Sequence, residues 1–187
     1  VADLLASRHT QTERALVSLI QSLSGDATVD YDLGVAASEF ASAHRNKAAA
    51  HLMKSFGNFR NPLEAVVQAY CAQCAIACNC ASLARAALFL ANGGAAPGSG
   101  QKVLDERQAQ QVCALMMSSG TYEASGETTF SIGLPIKSGV GGGVLAVMPR
   151  FGVACAWSPP LDEAGTSVAG LKAIQMLAGN LRRTLFL

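Results

Sequence analysis

Charged residues are scarce in this sequence. Asp, Glu, Lys and Arg together make up 14% of its 187 residues, whereas about a quarter is usual for a soluble domain. Protein interfaces are depleted in charged residues. The composition therefore predicts that part of the surface is buried, either against another chain, as in a homo-oligomer, or against a further segment of the same protein.

Basic clusters and long apolar runs are also absent. The formal net charge is +1, and Arg182-Arg183 is the only adjacent pair among the lysines and arginines. A nucleic-acid-binding protein normally carries a basic stripe or patch, so we expect no nucleic-acid partner. No apolar run reaches the roughly 18 residues that a membrane-spanning helix needs, so we expect no membrane partner.

The sequence shows no secretory signal. Val1 opens directly into a helical pattern, so we expect the sequence to begin inside a longer protein. Because nothing marks a secretory context, we expect a cytoplasmic location and reduced thiols for the six cysteines. Cys71, Cys74 and Cys78 are spaced to share one face of one helix, which cannot surround a metal ion. We interpret them as small buried hydrophobic residues and predict no metal site.

Two structural patterns follow one another along the chain. Residues 1–118 are typical of helices, and residues 119–187 are typical of strands followed by a C-terminal helix. The order predicts an α+β fold in which the last helix packs on an antiparallel sheet. Predicted helices cover about residues 10–23, 38–55, 61–78, 80–91, 105–117 and 167–177, and predicted strands cover about residues 128–134, 144–148 and 153–157. Asn61 is predicted to cap the third helix, Asp105 and Gln108 to form a capping box at the fifth, and Thr166 or Ser167 to cap the last.

A glycine-rich segment is the strongest chemical signal. Residues 137–143 read Lys-Ser-Gly-Val-Gly-Gly-Gly, with four glycines in the last five positions. A backbone without side chains allows its N–H groups to approach a ligand closely, as in an oxyanion hole. The lysine would add a cation beside a developing anion or a substrate carboxylate. A glycine-rich hairpin between two strands explains the same pattern, so both interpretations stay open.

Several longer motifs resemble one family. The Lys-Ser-Gly element is a variant of the Lys-Thr-Gly element of serine β-lactamases and penicillin-binding proteins. Residues 133–143, 157–170 (WSPPLDEAGTSVAG), 90–94 (LANGG) and 119–122 (SGTY) together resemble the serine-dependent glutaminases, in the right order and over nearly the whole chain. The resemblance implies a β-lactamase-like or penicillin-binding-protein-like fold, with residues 1–187 as the C-terminal part of a single domain.

The resemblance also implies a set of site residues. Glu39, Asn46, Tyr70, Tyr122 and Val140 match positions that bind glutamine in that family, and the backbone amide of Val140 would hold the oxyanion. Tyr70 and Tyr122 would transfer protons or bind substrate. The neighbouring Lys137, Ser138 and Gly139 would support the site.

The chemistry of these residue types fits an amino-acid substrate. The carboxylate of Glu39 suits an α-ammonium group, because charge-assisted hydrogen bonds are strong. The amide of Asn46 can both donate and accept. In a straight helix, Glu39 and Asn46 would lie about 10 Å apart along the axis. One small ligand is too short for that distance, so we predict a helix break or a bend between them.

The nucleophile of the family is not recognisable in the chain. That family uses a Ser-x-x-Lys pair at the start of a helix. The sole Ser-x-x-Lys here joins Ser99 to Lys102 within a glycine-rich loop, and we interpret it as a chance match. We expect the nucleophile, and an Asn that contacts glutamine, upstream of Val1. Thr121 and Thr166 also depart from the family pattern, which usually has Met and Asn there.

The resemblance implies an amidohydrolase that converts L-glutamine and water into L-glutamate and ammonia through an acyl-serine intermediate, without a metal or organic cofactor. Two alternatives stay open. One is another hydrolase of the serine β-lactamase-like group, acting on a lactam or an ester. The other is a fragment that binds glutamine or partners without catalysis.

Overall fold

The computed structural model describes residues 1–186, which form two compact units. The first unit comprises residues 1–22 and 26–78, and the second comprises residues 23–25 and the chain from residue 79 onward. No helix within residues 1–186 is long and apolar enough to cross a membrane.

The first unit is mainly helical. Its helices are α1 (Ala2–Ala6), all but the last two residues of α2 (Thr12–Ser24), α3 (Leu33–Ser42), α4 (His44–Ser55) and α5 (Leu63–Cys74). Two short strands, β1 (Asp30–Tyr31) and β2 (Ile76–Ala77), pair antiparallel. The core lies among α3, α4 and α5 and is formed by Ala43, Ala50, Val67 and Cys71, with Phe40, Phe59 and Leu63 packed against it.

The predicted helix break between Glu39 and Asn46 is confirmed. Helix α3 begins after Asp32, whose side chain accepts a hydrogen bond from the Val35 N–H, and ends at Ser42. Ala43 then leaves the helical conformation, with φ −72° and ψ 33°, and α4 starts at the next residue. Ala43 is buried in the core, so the chain changes direction at a small side chain that packs closely.

Asn61 does not cap α5 as predicted. The helix begins at Leu63, and Pro62 occupies the cap position without a side-chain hydrogen bond. The Asn61 amide instead donates to the Asp3 carboxylate and to the Ser7 hydroxyl, at 2.9 and 2.8 Å. The prediction was wrong because a buried carboxylate far away in sequence competes for the same amide.

The second unit is a three-stranded antiparallel sheet covered by helices on both faces. In chain order its elements are α6 (Cys80–Ala91), α7 (Glu106–Ser119), a 3₁₀ turn (Tyr122–Ala124), α8 (Ser125–Ile132), β3 (Ile136–Ser138), β4 (Gly143–Met148), β5 (Gly152–Trp157) and α9 (Val168–Leu181). The strand order is β3-β4-β5. The predicted antiparallel sheet and the C-terminal helix that packs on it are confirmed.

Alternating side chains of β4 point to two different hydrophobic clusters. Val144, Ala146 and Met148 pack with Ile174 and Ala178 of α9. On the other face, Val147 packs with Leu90 and Ala91 of α6 and with Ala109 of α7. This alternation is the period-2 pattern of a strand buried on both faces.

Helix caps in this unit largely follow the prediction. Asp105 and Gln108 form a reciprocal capping box at the start of α7. Of the two candidates for α9, Ser167 is the cap, since its side chain accepts from the Gly170 N–H.

The prediction of a strand at residues 128–134 was wrong, because this segment lies largely in α8. Its hydroxyl groups bond to the chain just before it. Thr128 pairs with Thr121 at 3.1 Å, and Thr129 donates to the Met117 carbonyl at 2.6 Å. Side-chain bonds of this kind outweigh the strand preference of β-branched residues.

The cysteine interpretation is confirmed for Cys71 alone. Cys71 is buried, whereas Cys74 and Cys78 are exposed. The shared helix face is not formed, because α5 ends at Cys74 and Cys78 follows β2. Within residues 1–186, no group of three or more His, Cys, Asp or Glu side chains is arranged to hold a metal ion.

Candidate active site

The glycine-rich segment forms a tight turn between β3 and β4. The Gly142 N–H donates to the Gly139 carbonyl, and the Gly139 N–H donates to the Gly143 carbonyl, both at 2.9 Å. Val140 and Gly141 occupy the corner, and their N–H groups donate to no acceptor within residues 1–186. Val140 is 64% exposed. The segment is thus a hairpin turn, and it also presents amides that can bind an anion.

Lys137 is held by backbone carbonyls rather than by a carboxylate. Its Nζ donates to the Gly120 carbonyl at 3.2 Å and to the Ser138 carbonyl. Gly120 follows the last residue of α7, where helix carbonyls carry partial negative charge that favours a cation. Burial lowers the pKa of Lys137 from its ordinary value. The same ammonium lies 4.7 Å from the centre of the Tyr122 ring.

The Ser138 hydroxyl is fully engaged in the structure. It is almost completely buried, accepts from the Thr166 hydroxyl at 3.1 Å and donates to the Gly120 carbonyl at 3.4 Å. A nucleophilic hydroxyl needs an accessible oxygen beside a base. The buried and bonded Ser138 hydroxyl therefore lacks the accessibility of a nucleophile.

Tyr122 adopts a backbone conformation that is rare for a residue with a side chain. Its φ is +54°, in the left-handed region that costs such residues about 1–3 kcal/mol. Ser125 offsets this cost, since its hydroxyl donates to the Tyr122 carbonyl at 2.7 Å and accepts from the Thr121 N–H at 3.1 Å. The Tyr122 side chain is 40% exposed.

Gly165 shows how close Tyr122 and Val140 lie. A Cβ at Gly165 would lie 3.1 Å from Val140 Cγ1 and 3.9 Å from Tyr122 Cε2. Together with the ammonium of Lys137 over the Tyr122 ring, this places a hydroxyl-bearing ring, a cation and an exposed turn amide beside one another. The second unit thus brings together Tyr122, Lys137 and Val140.

The first unit brings Asn46 and Tyr70 together. Both line a cavity of about 420 Å³, together with residues 1–3 and Gln73. Glu39 is not among the lining residues and is exposed on α3. The Glu39 carboxylate lies close enough to the Cys71 thiol to affect the pKa of that thiol. Burial raises the pKa of the Cys71 thiol, and the nearby Cys74 and the charge of Glu39 raise it further.

Gln73 is a polar residue of this cavity that the sequence analysis left without a role. Its side-chain N–H group is buried and has no hydrogen-bond partner within residues 1–186. A buried amide normally bonds to protein, water or a ligand. Its position one helical turn after Tyr70, on the same face of α5, is a signal that the sequence already contained.

The opposite face of α5 lines a different and larger cavity, of about 680 Å³. Ala65, Gln68, Ala69 and Ala72 border it, whereas Val66, Val67, Tyr70 and Gln73 border the cavity that contains Asn46. None of the predicted site residues lies in the larger cavity.

The Ser99 and Lys102 pair lies in a loop, as predicted. Neither residue belongs to a helix. The Ser99 hydroxyl accepts from the Gln101 N–H at 3.2 Å, and Lys102 forms an isolated bridge with Ala95. The two side chains are therefore not carried on one face of a helix.

Comparison with known sequences agrees with the motifs. The glutaminase family model matches residues 1–186. The chain belongs to the glutaminase family. Two curated relatives named glutaminase come from Paraburkholderia phytofirmans and Ralstonia nicotianae. They are 49% and 50% identical to it and are matched over 100% of this chain. The chain spans about three-fifths of the length of these relatives, 61% in both cases.

Solved glutaminase structures share the fold. The probable glutaminase YbaS is 36% identical with a TM-score of 0.88, and the match covers 95% of this chain and 57% of YbaS. The glutaminase YbgJ of Bacillus subtilis, in a covalent complex with 5-oxo-L-norleucine, is 30% identical with a TM-score of 0.86. That match covers 94% of this chain and 62% of YbgJ. The fold of this glutaminase-family chain is thus β-lactamase-like, as the sequence predicted.

Two residues that contact the turn of this glutaminase-family chain were not predicted as site residues from the sequence. Thr166 bonds to Ser138, and Trp157 donates its indole N–H to the Gly141 carbonyl at 2.7 Å. Both lie in the stretch 157–170 that carries the resemblance. The motif therefore marked the segment, but only the fold shows which atoms it contacts.

Proposed function

We propose that the full-length protein containing this chain hydrolyses L-glutamine to L-glutamate and ammonia. The proposal is carried by one observation: Tyr122, the Lys137 ammonium and the exposed turn at Val140 lie side by side. Acyl transfer needs this combination of a proton-transferring hydroxyl, a fixed cation and N–H donors. We further propose that the protein is a cytoplasmic homo-oligomer, and that residues 1–187 form the C-terminal part of a single domain.

The reaction begins when a serine hydroxyl attacks the side-chain carbonyl carbon of glutamine. We place this serine in the part of the protein that precedes Val1. The Val140 N–H donates to the oxygen that becomes negative, and Gly141, at the same corner, offers a second N–H. Such donors stabilise a tetrahedral intermediate because they are already oriented before charge develops.

Proton transfer completes the two half-reactions. The Tyr122 hydroxyl passes the proton lost by the serine to the departing nitrogen, so that ammonia leaves and an acyl-serine remains. Water then attacks the acyl-serine, and its proton returns to the serine oxygen as glutamate is released. Tyr70 assists the proton transfers or binds the substrate. Lys137 holds the Tyr122 ring and the Gly120 carbonyl in place, and the mechanism needs no cofactor.

From the family resemblance we also propose that Glu39 and Asn46 bind the amino-acid end of glutamine. The Glu39 carboxylate accepts from the α-ammonium group, and the Asn46 amide bonds to the same end of the molecule. The break at Ala43 supports this assignment, because the two residues are not carried on one straight helix.

The test is ammonia release from L-glutamine by the full-length protein and its Tyr122→Phe variant. Phenylalanine keeps the ring beside Lys137 and removes only the hydroxyl. We expect turnover to fall at least about 100-fold, as is typical when a general acid–base is lost, with an unchanged midpoint of thermal unfolding. Equal turnover by both proteins would exclude the hydroxyl from the chemistry. Nitrocefin turnover without glutamine turnover would instead identify a lactam hydrolase.

A further inference from the structure

Trp157 makes a contact with the glycine-rich turn that strand pairing does not explain. It is the last residue of β5 and pairs with Gly143 in the sheet. Its indole Nε1–H reaches past this pairing and donates to the Gly141 carbonyl at 2.7 Å. The acceptor therefore belongs to the residue directly after Val140.

The turn is shaped to receive the indole. Gly142 has a φ of +94°, and a Cβ there would lie 3.0 Å from Trp157 Nε1. A side chain at this position would be strained and would push the indole away from the turn. Gly142 thus provides the close approach that the hydrogen bond needs.

Trp157 does not serve as a core residue. It is 62% exposed, so hydrophobic burial accounts for little of its position. Its polar atom is nevertheless directed at the turn. A tryptophan that leaves most of its ring in solvent and bonds through its single N–H is placed by that hydrogen bond.

The physical need for such a contact is conformational. Four of the five residues 139–143 are glycine, and glycine has the largest backbone freedom to lose on ordering. The turn is held at its start by the bond between Thr166 and Ser138, and at its end by the Ser158 N–H on the Gly142 carbonyl. Trp157 bonds to the backbone of the corner itself.

We propose that Trp157 is a positioning residue for glutamine hydrolysis. Its indole N–H fixes the peptide plane that contains the Gly141 carbonyl and the Gly142 N–H. The Gly142 N–H bonds to the Gly139 carbonyl, which shares a peptide plane with the Val140 N–H and so sets the direction of that N–H. This inference rests on the proposed glutaminase function and on the place of Val140 in it. Oxyanion donors act in the transition state rather than in the bound substrate. Loss of the indole contact therefore lowers kcat and leaves KM nearly unchanged.

The experiment compares the full-length wild-type protein with its Trp157→Phe variant, which keeps an aromatic ring and loses the N–H. We expect kcat to fall about tenfold, less than when an oxyanion donor is removed outright. We expect KM to stay within about twofold, and the midpoint of thermal unfolding to stay the same. The control is Phe151→Leu, since Phe151 is an exposed aromatic residue at the other end of the β4–β5 hairpin. This control should keep the wild-type kcat.

A second variant separates the N–H from the shape of the ring. Site-specific replacement of Trp157 by benzothienylalanine keeps the bicyclic ring and puts sulfur in place of the N–H. The proposal requires this protein to lose kcat as Trp157→Phe does. Wild-type kcat with benzothienylalanine would overturn it, and so would a rise in KM at constant kcat, which would indicate a substrate-binding ring. A wild-type protein that releases no ammonia from glutamine refutes the proposed function itself, whereas an active wild type with an unaffected Trp157→Phe variant refutes only the positioning role.

Discussion

One carbonyl oxygen, that of Gly120, accepts three hydrogen bonds from two neighbouring residues. The donors are the Ser138 N–H at 3.0 Å, the Lys137 ammonium at 3.2 Å and the Ser138 hydroxyl at 3.4 Å. This oxygen links the Lys-Ser-Gly element to the chain just before Tyr122. At the scale of single residues, Lys137 and Ser138 therefore act on a backbone atom that lies next to the segment carrying Tyr122.

Asp3 shows a second buried polar centre, in the first unit. Only 7% of the residue is exposed, and its carboxylate accepts from the backbone N–H groups of Asn61 and Arg60 and from the Asn61 side chain. The hydrogen bonds from the Asn61 backbone and side chain are the main cause of a pKa below the ordinary 3.8, although burial opposes them. The contact joins α1 to the segment that leads into α5.

The lowered pKa of Asp3 makes its contribution to stability depend on pH. Because the folded protein binds this proton less tightly than the unfolded chain, the stabilisation is fully present above the ordinary pKa of 3.8 and is lost as the pH falls through the folded-state pKa. We expect Asp3→Asn to be less stable than wild type at pH 7, and the difference to shrink as the pH falls from 3.8 through the lower folded-state pKa. Urea unfolding at several pH values measures the difference. A gap that stays constant with pH would show that the charge of Asp3 does not stabilise the fold.

At the scale of elements, the end of α7 leaves no space for a side chain. Gly120 follows the last residue of this helix, and a Cβ there would overlap the carbonyl oxygens of Met116 and Ile136. The backbone of β3 thus packs directly on the helix end. Gly126 in α8 is different, because a Cβ there would meet no neighbour within 4 Å.

These two glycines form a matched pair for mutation. We expect Gly120→Ala to destabilise the protein by at least about 3 kcal/mol, since rigid backbone must move to admit the methyl group. We expect Gly126→Ala to leave the stability equal or to raise it by up to about 1 kcal/mol, because alanine is the better helix former. Chemical denaturation of both variants gives the two values. A Gly120→Ala protein as stable as wild type would mean that β3 does not pack on the end of α7 in this way.

Helix α8 also shows why the strand preference of its residues led to a wrong prediction. Residues 128–132 contain Thr128, Thr129 and Ile132, which favour strands. In the structure the two threonine hydroxyls bond to the segment 117–121, and Ile132 joins the cluster under the sheet. These contacts exist only after the chain has folded back, so no pattern within the segment itself could predict them.

At the scale of the whole molecule, the chain forms two compact units, whereas we propose that it belongs to a single domain. Asp3 belongs to the first unit and Gly120 to the second. If both units belong to a single cooperative domain, Asp3→Asn and Gly120→Ala will each shift one common unfolding transition of the full-length protein. Differential scanning calorimetry measures this directly. Two separate transitions, each moved by one of the variants, would contradict the single domain.

The length of this chain relative to its relatives decides which protein must be used in each functional test. The chain spans 61% of two curated glutaminases, and the proposed nucleophile lies outside it. Turnover measurements therefore belong to the full-length protein, whereas the packing at Gly120 and the network at Asp3 are properties of residues within this chain.

The amino-acid sequence by itself determined the family, most helix ends, the strands β4 and β5, and the break near Ala43. The family is recognisable from sequence motifs. The helix ends and strands depend on local causes: the capping side chains of Asp105 and Ser167, glycines at helix ends, and alternating apolar residues. The motifs also led to Tyr122, Lys137 and Val140. Only the tertiary structure decided the rest. In the folded protein the Asn61 side chain bonds to Asp3 instead of capping α5, and residues 125–132 form a helix. Lys137 bonds to the Gly120 carbonyl, and the Trp157 indole bonds to the glycine-rich turn. Each of these contacts joins atoms far apart in sequence, and their free energy arises only when folding excludes water from both partners.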